Sequence, residues 1–277
     1  MVTQLPFDAA AQVWLRAAGR GVTWFETRLE AGCRLPAARH DLGSYYKWPL
    51  ALAACGRTEL ARQVLDVIVD DFMTVDGDFR SGDEKSGDPI YGLIADTYTN
   101  TWPIIAARVL ERSDVAEAGL ECLRRRHAPL TGGYLSGSPG QHADGRQDIV
   151  TIAGCGNAFL ACGHSREAID AGVSLLNILA AQEGPADPFC FYIDRFAAPV
   201  AVKTGWAAAA LFRITGEREY LGVARQAAAE IVAAQRPEGD WADVARSDIL
   251  ECDAVGELCY HLCQYCLELA SYRADRN

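Results

Sequence analysis

The chain has 277 residues, half of them hydrophobic, with a mean hydropathy of −0.02, a formal net charge of −11 and a pI near 4.9. That length and apolar content suffice for a globular core. The acidic balance, with no basic stripe to offset it, excludes nucleic acid and anionic membrane surfaces as partners.

The first residues carry neither a basic leader nor a long apolar run, so no signal peptide and no membrane span are read there. Ten cysteines in such a chain point to free thiols in a reducing, cytoplasmic setting. Residues 7–31 then read as an Ala-rich helix, and a break at Gly19-Arg20-Gly21 would divide it. After it, apolar helices are predicted over 42–55, 95–111, 148–162, 200–215 and 251–270. Between them, amphipathic helices are predicted over 57–73, 114–126, 165–182 and 217–235, with apolar residues at helical spacing and charges between. Arg124-Arg125-Arg126 closes one of these, where it complements the negative helix end.

The units repeat with a period of about 52 residues, a repeat of pattern and not of identity. Short turns join the helices at Cys55-Gly56-Arg57, Arg112-Ser113-Asp114, Cys162-Gly163-His164 and Thr215-Gly216-Glu217. Gly-plus-aromatic loops follow at Asp76-Gly77-Asp78-Phe79, Gly132-Gly133-Tyr134 and Glu238-Gly239-Asp240-Trp241, with Asp187-Pro188-Phe189 as a degenerate copy. One helical hairpin cannot bury its own apolar face, so such a period means stacked hairpins. A helix that is apolar all round is buried all round. The alternation therefore predicts an all-α fold with two concentric layers, an α/α toroid in one domain spanning 1–277. It has five hairpins, or six if 7–31 splits, and the N-terminal helix closes the ring against the last inner helix. A central cavity opens where the loops at 74–94, 128–147, 184–199 and 236–250 enter the inner helices.

Gln235-Arg236-Pro237-Glu238-Gly239-Asp240-Trp241 matches the Q-x3-G-x-W core of the QW motif, and Gly132-Gly133-Tyr134 followed by Ser136-Gly137-Ser138-Pro139 is similar to a GGF-type loop. The segment 148–160 resembles the inner helix that follows such a loop. In these features the chain resembles the superfamily of terpenoid cyclases and protein prenyltransferase β subunits. The resemblance implies a toroid around an apolar pocket. The Asp-x-Asp-Asp acid motif of the class II cyclases is absent, and Asp70-Asp71 with Asp76 has the wrong spacing to replace it or to hold a metal-diphosphate.

Five clusters carry candidate chemistry. His40-Asp41-Leu42-Gly43-Ser44-Tyr45-Tyr46-Lys47-Trp48-Pro49 opens the first inner helix, and such a density of polar and aromatic groups is costly to bury unless it lines a cavity. Asp96-Thr97-Tyr98-Thr99-Asn100-Thr101-Trp102-Pro103 opens the second. Aligning the two Trp-Pro pairs places Trp48 with Trp102, and carrying the alignment through the turns places Thr151 with Cys155 on that face. Arg146 would anchor a carboxylate or orient Asp148, and Cys155 is a candidate nucleophile. Lys203 and Trp206 lie on the fourth inner helix. On the last, Asp253, Glu257, Tyr260 and Gln264 share one face beside His261. Asp41 and Asp148 equally suit helix N-caps. Cysteines 252, 259, 263 and 266 form an apolar stripe that cannot surround one tetrahedral metal, so no zinc site is expected.

These residues point to a cofactor-independent lyase, isomerase or cyclase using acid–base chemistry on a small, partly apolar, terpenoid- or polyketide-like metabolite. Asp41, Asp148 or Asp253 would supply the proton, with Tyr46 and Lys203 as further catalytic groups. Tyr45, Trp48, Tyr98, Asn100, Trp102, Arg146, Thr151, Cys155, Trp206, Glu257 and Tyr260 would line the pocket. A sugar epimerase or two-carboxylate glycosidase of the (α/α) barrel type is the alternative, and a non-catalytic scaffold a third. A small molecule is the expected partner; the sequence does not fix the oligomeric state, and a homodimer is compatible with it.

Overall fold

The computed structural model describes residues 7–36, 40–93, 96–137, 147–181, 216–241, 252, 255–264 and 266. The predicted inner helix at 200–215, the loop at 184–199 and the candidate residues Arg146, Lys203, Trp206 and Asp253 lie outside them. The chain is an all-α protein with the architecture of an α/α toroid. The helices are α1 (Phe7–Glu26), α2 (Leu42–Tyr45), α3 (Trp48–Ala54), α4 (Thr58–Phe72), α5 (Ile90–Leu93), α6 (Tyr98–Val109) and α7 (Ser113–Arg125). There follow α8 (Ile149–Ala161), α9 (Ser165–Ala181), α10 (Arg218–Ala233) and α11 (255–264). Two-residue strands β1 (His127–Ala128) and β2 (Gly133–Tyr134) pair antiparallel. Among the described residues no helix is long and apolar enough to cross a membrane.

Three hairpins, α3–α4, α6–α7 and α8–α9, close with the same helix cap. Gly56, Glu111 and Gly163 take the left-handed backbone at φ 76°, 64° and 85°. The amide three residues past the helix then bonds back across it: Arg57 N to Leu52 O, Arg112 N to Ala107 O and His164 N to Phe159 O, each 2.8 Å. The second turn is therefore Leu110-Glu111-Arg112, two residues earlier than the sequence suggests. Glutamate stands where the other turns have glycine, which hid the position. Helix α6 packs on both α3 and α8, and each outer helix covers its own inner partner. The outer helices bury one face only: Ala61, Val64, Leu65, Ile68 and Phe72 on α4, and Val115, Ala116, Leu120 and Leu123 on α7.

The glycine loops lock each hairpin to the next outer helix. A side chain on Gly77 would collide with Ala118 O of α7, and one on Gly132 would stand 3.4 Å from Asp170 O of α9. Gly239 presses in the same way on Arg20 O of α1. Helix α1 thus takes the outer position after the last loop and closes the ring. Gln235 fastens this junction, its Nε2 donating to Ala17 O (2.9 Å) and Gly239 O (2.7 Å), while Trp241 Nε1 donates to Ile231 O (2.7 Å). Helix α1 runs unbroken through Gly19 and Gly21, so it does not split into a sixth hairpin. Gly21 is needed for contact, because Cys259 of α11 sits where its Cβ would be.

Candidate active site

Two polar clusters lie along helix α6. Tyr98 and Trp102, four residues apart, share one of its faces. The Trp102 ring meets Tyr46, Tyr98, Tyr260 and His261 edge-on, at centroid distances of 6.5, 6.5, 5.3 and 6.2 Å. Tyr91 meets Tyr46 in the same way at 6.0 Å. Inside this wall lies Lys47, wholly buried. Its Nζ stands 5.1 Å from the Tyr46 ring, 5.3 Å from Trp102 and 5.9 Å from Tyr98, and donates to Glu257 Oε2 at 2.5 Å. The other oxygen of Glu257 is 3.7 Å from His261 Nε2. Three ring faces and one carboxylate offset the cost of burying the ammonium.

Asn100 projects from the opposite side of α6, toward Cys122 of α7 and the loop after α4. There Asp78 gathers three cations. Its Oδ1 accepts from Asn100 Nδ2 (2.8 Å) and Lys85 Nζ, and its Oδ2 accepts from Arg80 Nε and Arg126 Nη2, both at 3.0 Å. Lys85 also donates to Phe79 O (2.8 Å) and Asn100 Oδ1 (2.7 Å). Arg126 Nη1 donates to Thr97 Oγ1 at 3.0 Å. Asp96 completes the cluster, 3.6 Å from Arg126 and 3.8 Å from Lys85. Burial, followed by the Arg126 charge, pulls the Lys85 pKa down to about 8. Burial alone would raise Asp78, but Lys85 and Arg126 outweigh it and hold the carboxyl far below its ordinary range. Arg126 is thus a buried ion-pair partner and not the exposed helix-end charge expected from the Arg124–Arg126 run.

Three aspartates occupy one position of the repeat. Asp41, Asp96 and Asp148 each stand fifteen residues ahead of the left-handed turn residue of their hairpin (41 to 56, 96 to 111, 148 to 163). Asp41 caps α2 through Gly43 N (2.9 Å) and also accepts from Ser86 Oγ and Gly87 N, both 2.5 Å. Asp148 caps α8 through Thr151 N (2.8 Å) and accepts from Thr151 Oγ1 (2.7 Å). The N-cap of α6 is Thr97, in helical backbone; its side chain makes no cap hydrogen bond, and its amide donates to Ser136 O at 3.0 Å. Asp96, 1% exposed, pairs with Arg126 and Lys85.

The remaining candidates divide accordingly. Tyr46, Tyr98, Trp102, Glu257 and Tyr260 come together around Lys47. Tyr45 points elsewhere: its hydroxyl accepts from Leu35 N at 2.5 Å and its ring packs on His40 and Phe72. Trp48 stacks on Phe25 at 3.8 Å, in the seam with α1, and so does not match Trp102. The Trp-Pro pairs are 54 residues apart but the turns Gly56 and Glu111 are 55 apart, and one residue rotates a helical position by about 100°. The turns place Lys47 with Trp102 and with Gly154, and Trp48 with Cys155. Thr151 serves the α8 cap. Burial pushes the Cys155 thiol far up, which keeps it protonated and argues against a nucleophile. Sequence reading placed Lys47, Asp96 and His261 within the candidate clusters without giving them a role, and did not single out Asp78, Lys85 or Arg126 for the site. A lysine within an otherwise apolar helix was the available signal for Lys47, and turn-based alignment was the signal for Asp96.

No protein-family model and no curated protein matches the sequence. Among solved structures, the chain is similar to the type II terpene cyclase MstE from Scytonema, solved with its substrate geranylgeranyl dihydroxybenzoate. The identity is 12%, the TM-score 0.55, and the match covers 94% of this chain and 99% of that one. The fold is that of a terpene cyclase toroid. At this identity the likeness carries the fold alone, and any chemistry on this toroid must be argued from its own side chains.

Proposed function

We propose that this chain is a cyclase or isomerase that converts a small terpenoid-like molecule by protonation and deprotonation, with no cofactor. The carrying observation is Asp96, the one described member of the aspartate set that pairs with two buried cations, at the start of the helix that bears Tyr98 and Trp102. In this reading the Asp96 carboxyl gives its proton to an alkene or carbonyl. The O–H bond breaks, a C–H or O–H bond forms on the substrate, and Arg126 and Lys85 hold the carboxylate left behind. Tyr46, Tyr98, Trp102 and Tyr260 shield the developing positive charge; their ability to hold a cation is already displayed on Lys47. Glu257, beside His261, takes the proton released when the final double bond or ring forms. Proton in and proton out leaves the mass unchanged. The sugar-active alternative requires two free carboxylates across the bond, whereas Asp41 and Asp148 are already filled by donors from their own helix starts.

The test is incubation in D2O with geranylgeranyl dihydroxybenzoate and shorter polyprenyl arenes, followed by mass spectrometry and NMR. The expected product is an isomer carrying one deuterium at a new C–H position, absent with Asp96→Asn. Failure of the wild-type chain to isomerise any of the panel, or equal turnover by the variant, would overturn the proposal.

A further inference from the structure

We infer that Cys55 and Cys263 are an oxidation site that closes to an intramolecular disulfide and ties α3 to α11. The two residues are 208 apart in sequence, yet their sulfurs are 3.3 Å apart as free thiols. Cys55 is the C-cap residue of α3 and half-buried; Cys263 is buried in α11. This asymmetry suits a two-step reaction. The hydrogen bond from Cys263 lowers the Cys55 pKa, against a smaller opposing effect of burial, so the accessible sulfur is the more readily ionised one. The Cys263 thiol is pushed far up by its bond to Cys55 and by burial, and remains protonated.

With a peroxide as oxidant, the Cys55 sulfur attacks an oxygen, the O–O bond breaks, and Cys55 becomes a sulfenic acid with release of one water. The Cys263 sulfur then displaces the sulfenic oxygen, and its proton leaves in a second water. Two thiols lose two electrons and two protons, and one hydrogen peroxide becomes two waters. The neighbouring cysteines are turned away: Cys259 and Cys266 donate to Ala18 O and Ala11 O of α1. Closure would fix the two helices that carry Lys47 and Glu257, about two turns from that ion pair on each helix.

The inference does not depend on the proposed reaction and is tested without a substrate. The full chain is treated with hydrogen peroxide, alkylated and digested under non-reducing conditions. The expected result is a peptide pair joined through Cys55 and Cys263, lost on adding dithiothreitol. It should be absent in Cys55→Ser and Cys263→Ser but retained in Cys259→Ser. The oxidised form should melt about 5 °C or more above the reduced form. Sulfinic acid at Cys55 with Cys263 still alkylated, a different cysteine pair, a crosslink between two chains, or an unchanged melting temperature would overturn it. Because the wild-type digest decides the pairing, a misfolded serine variant does not weaken the test.

Discussion

Replacing Asp41, Asp96 and Asp148 one at a time separates carboxylates that hold the fold from the one proposed to do chemistry. Asp148→Ala removes the α8 cap and the acceptor for the buried Thr151 hydroxyl. A cap is worth about 1 kcal/mol, and stranding a buried hydroxyl costs about 1 kcal/mol more. The expected loss is roughly 2 kcal/mol, or about 4–8 °C in melting temperature. Asp41→Ala also frees Ser86 and Gly87 and should cost roughly 3 kcal/mol. Asp96→Asn behaves differently. The cluster of Arg80, Lys85, Arg126, Asp78 and Asp96 carries one net positive charge when all are ionised. The variant restores that balance if Lys85, with its pKa already at about 8, gives up its proton. At pH 7 that costs about 1 kcal/mol. Melting should therefore shift less than in either cap variant, while isomer formation falls by about 100-fold or more. Differential scanning fluorimetry paired with the D2O isomerisation assay reads both quantities. An Asp96→Asn protein that melts as low as the cap variants while keeping its turnover would refute the assignment.

Glu111→Gly should stabilise the protein by about 1 kcal/mol, because Glu111 alone among the three hairpin caps holds a left-handed backbone with a side chain; urea denaturation of the two proteins measures it. The buried cluster also sets a pH dependence. Lys85 falls from its ordinary 10.5 to about 8 on folding, so between those values the unfolded chain binds more protons and stability from this group rises with pH, by about 3 kcal/mol in all. Asp78 is depressed, so its contribution is present above its ordinary 3.8 and is lost as pH falls below that value. Comparing wild type with Lys85→Met from pH 7 to 11 should show the alkaline rise only in the wild type.

The fold was largely legible because its determinants are local. Gly56 and Gly163 end helices in the one conformation that glycine adopts freely, and α4 and α7 show single apolar faces. Gly239 and Gln235 mark the closing seam with α1. The site was less legible because side-chain direction depends on register. The Trp-Pro alignment is wrong by one residue, which turned Trp48 and Cys155 toward the wrong neighbours and concealed the match of Lys47 with Trp102. Arg126 was hidden for another reason. A charge at a helix end reads as exposed unless its partner is known, and its partners, Asp78 and Asp96, lie 48 and 30 residues earlier in the chain.

The repeat also gives a reason why chemistry would gather at α6 and not elsewhere on the ring. A toroid of equivalent hairpins supplies each inner helix with the same cap and the same inward position, so function requires departures from equivalence. At the inward position the described hairpins carry Lys47, Trp102 and Gly154, a cation, a ring and a space. The missing side chain at Gly154 is what lets α8 approach Tyr98 and Thr101, since a Cβ there would stand 3.0 Å from each. At the cap position they carry Asp41, Asp96 and Asp148, the same residue three times, but only at α6 does it pair with two buried cations. The start of α6 is also held by Arg126 on Thr97 and by the Thr97 amide on Ser136. The arginine at the end of α7 and the loop after it thus fix the helix start from within the same hairpin. Two cations around one carboxylate bury more charge than a plain cap would, and such pairs add little to stability. In the proposed reaction they have a use, because they hold the carboxylate once its proton has gone to the substrate.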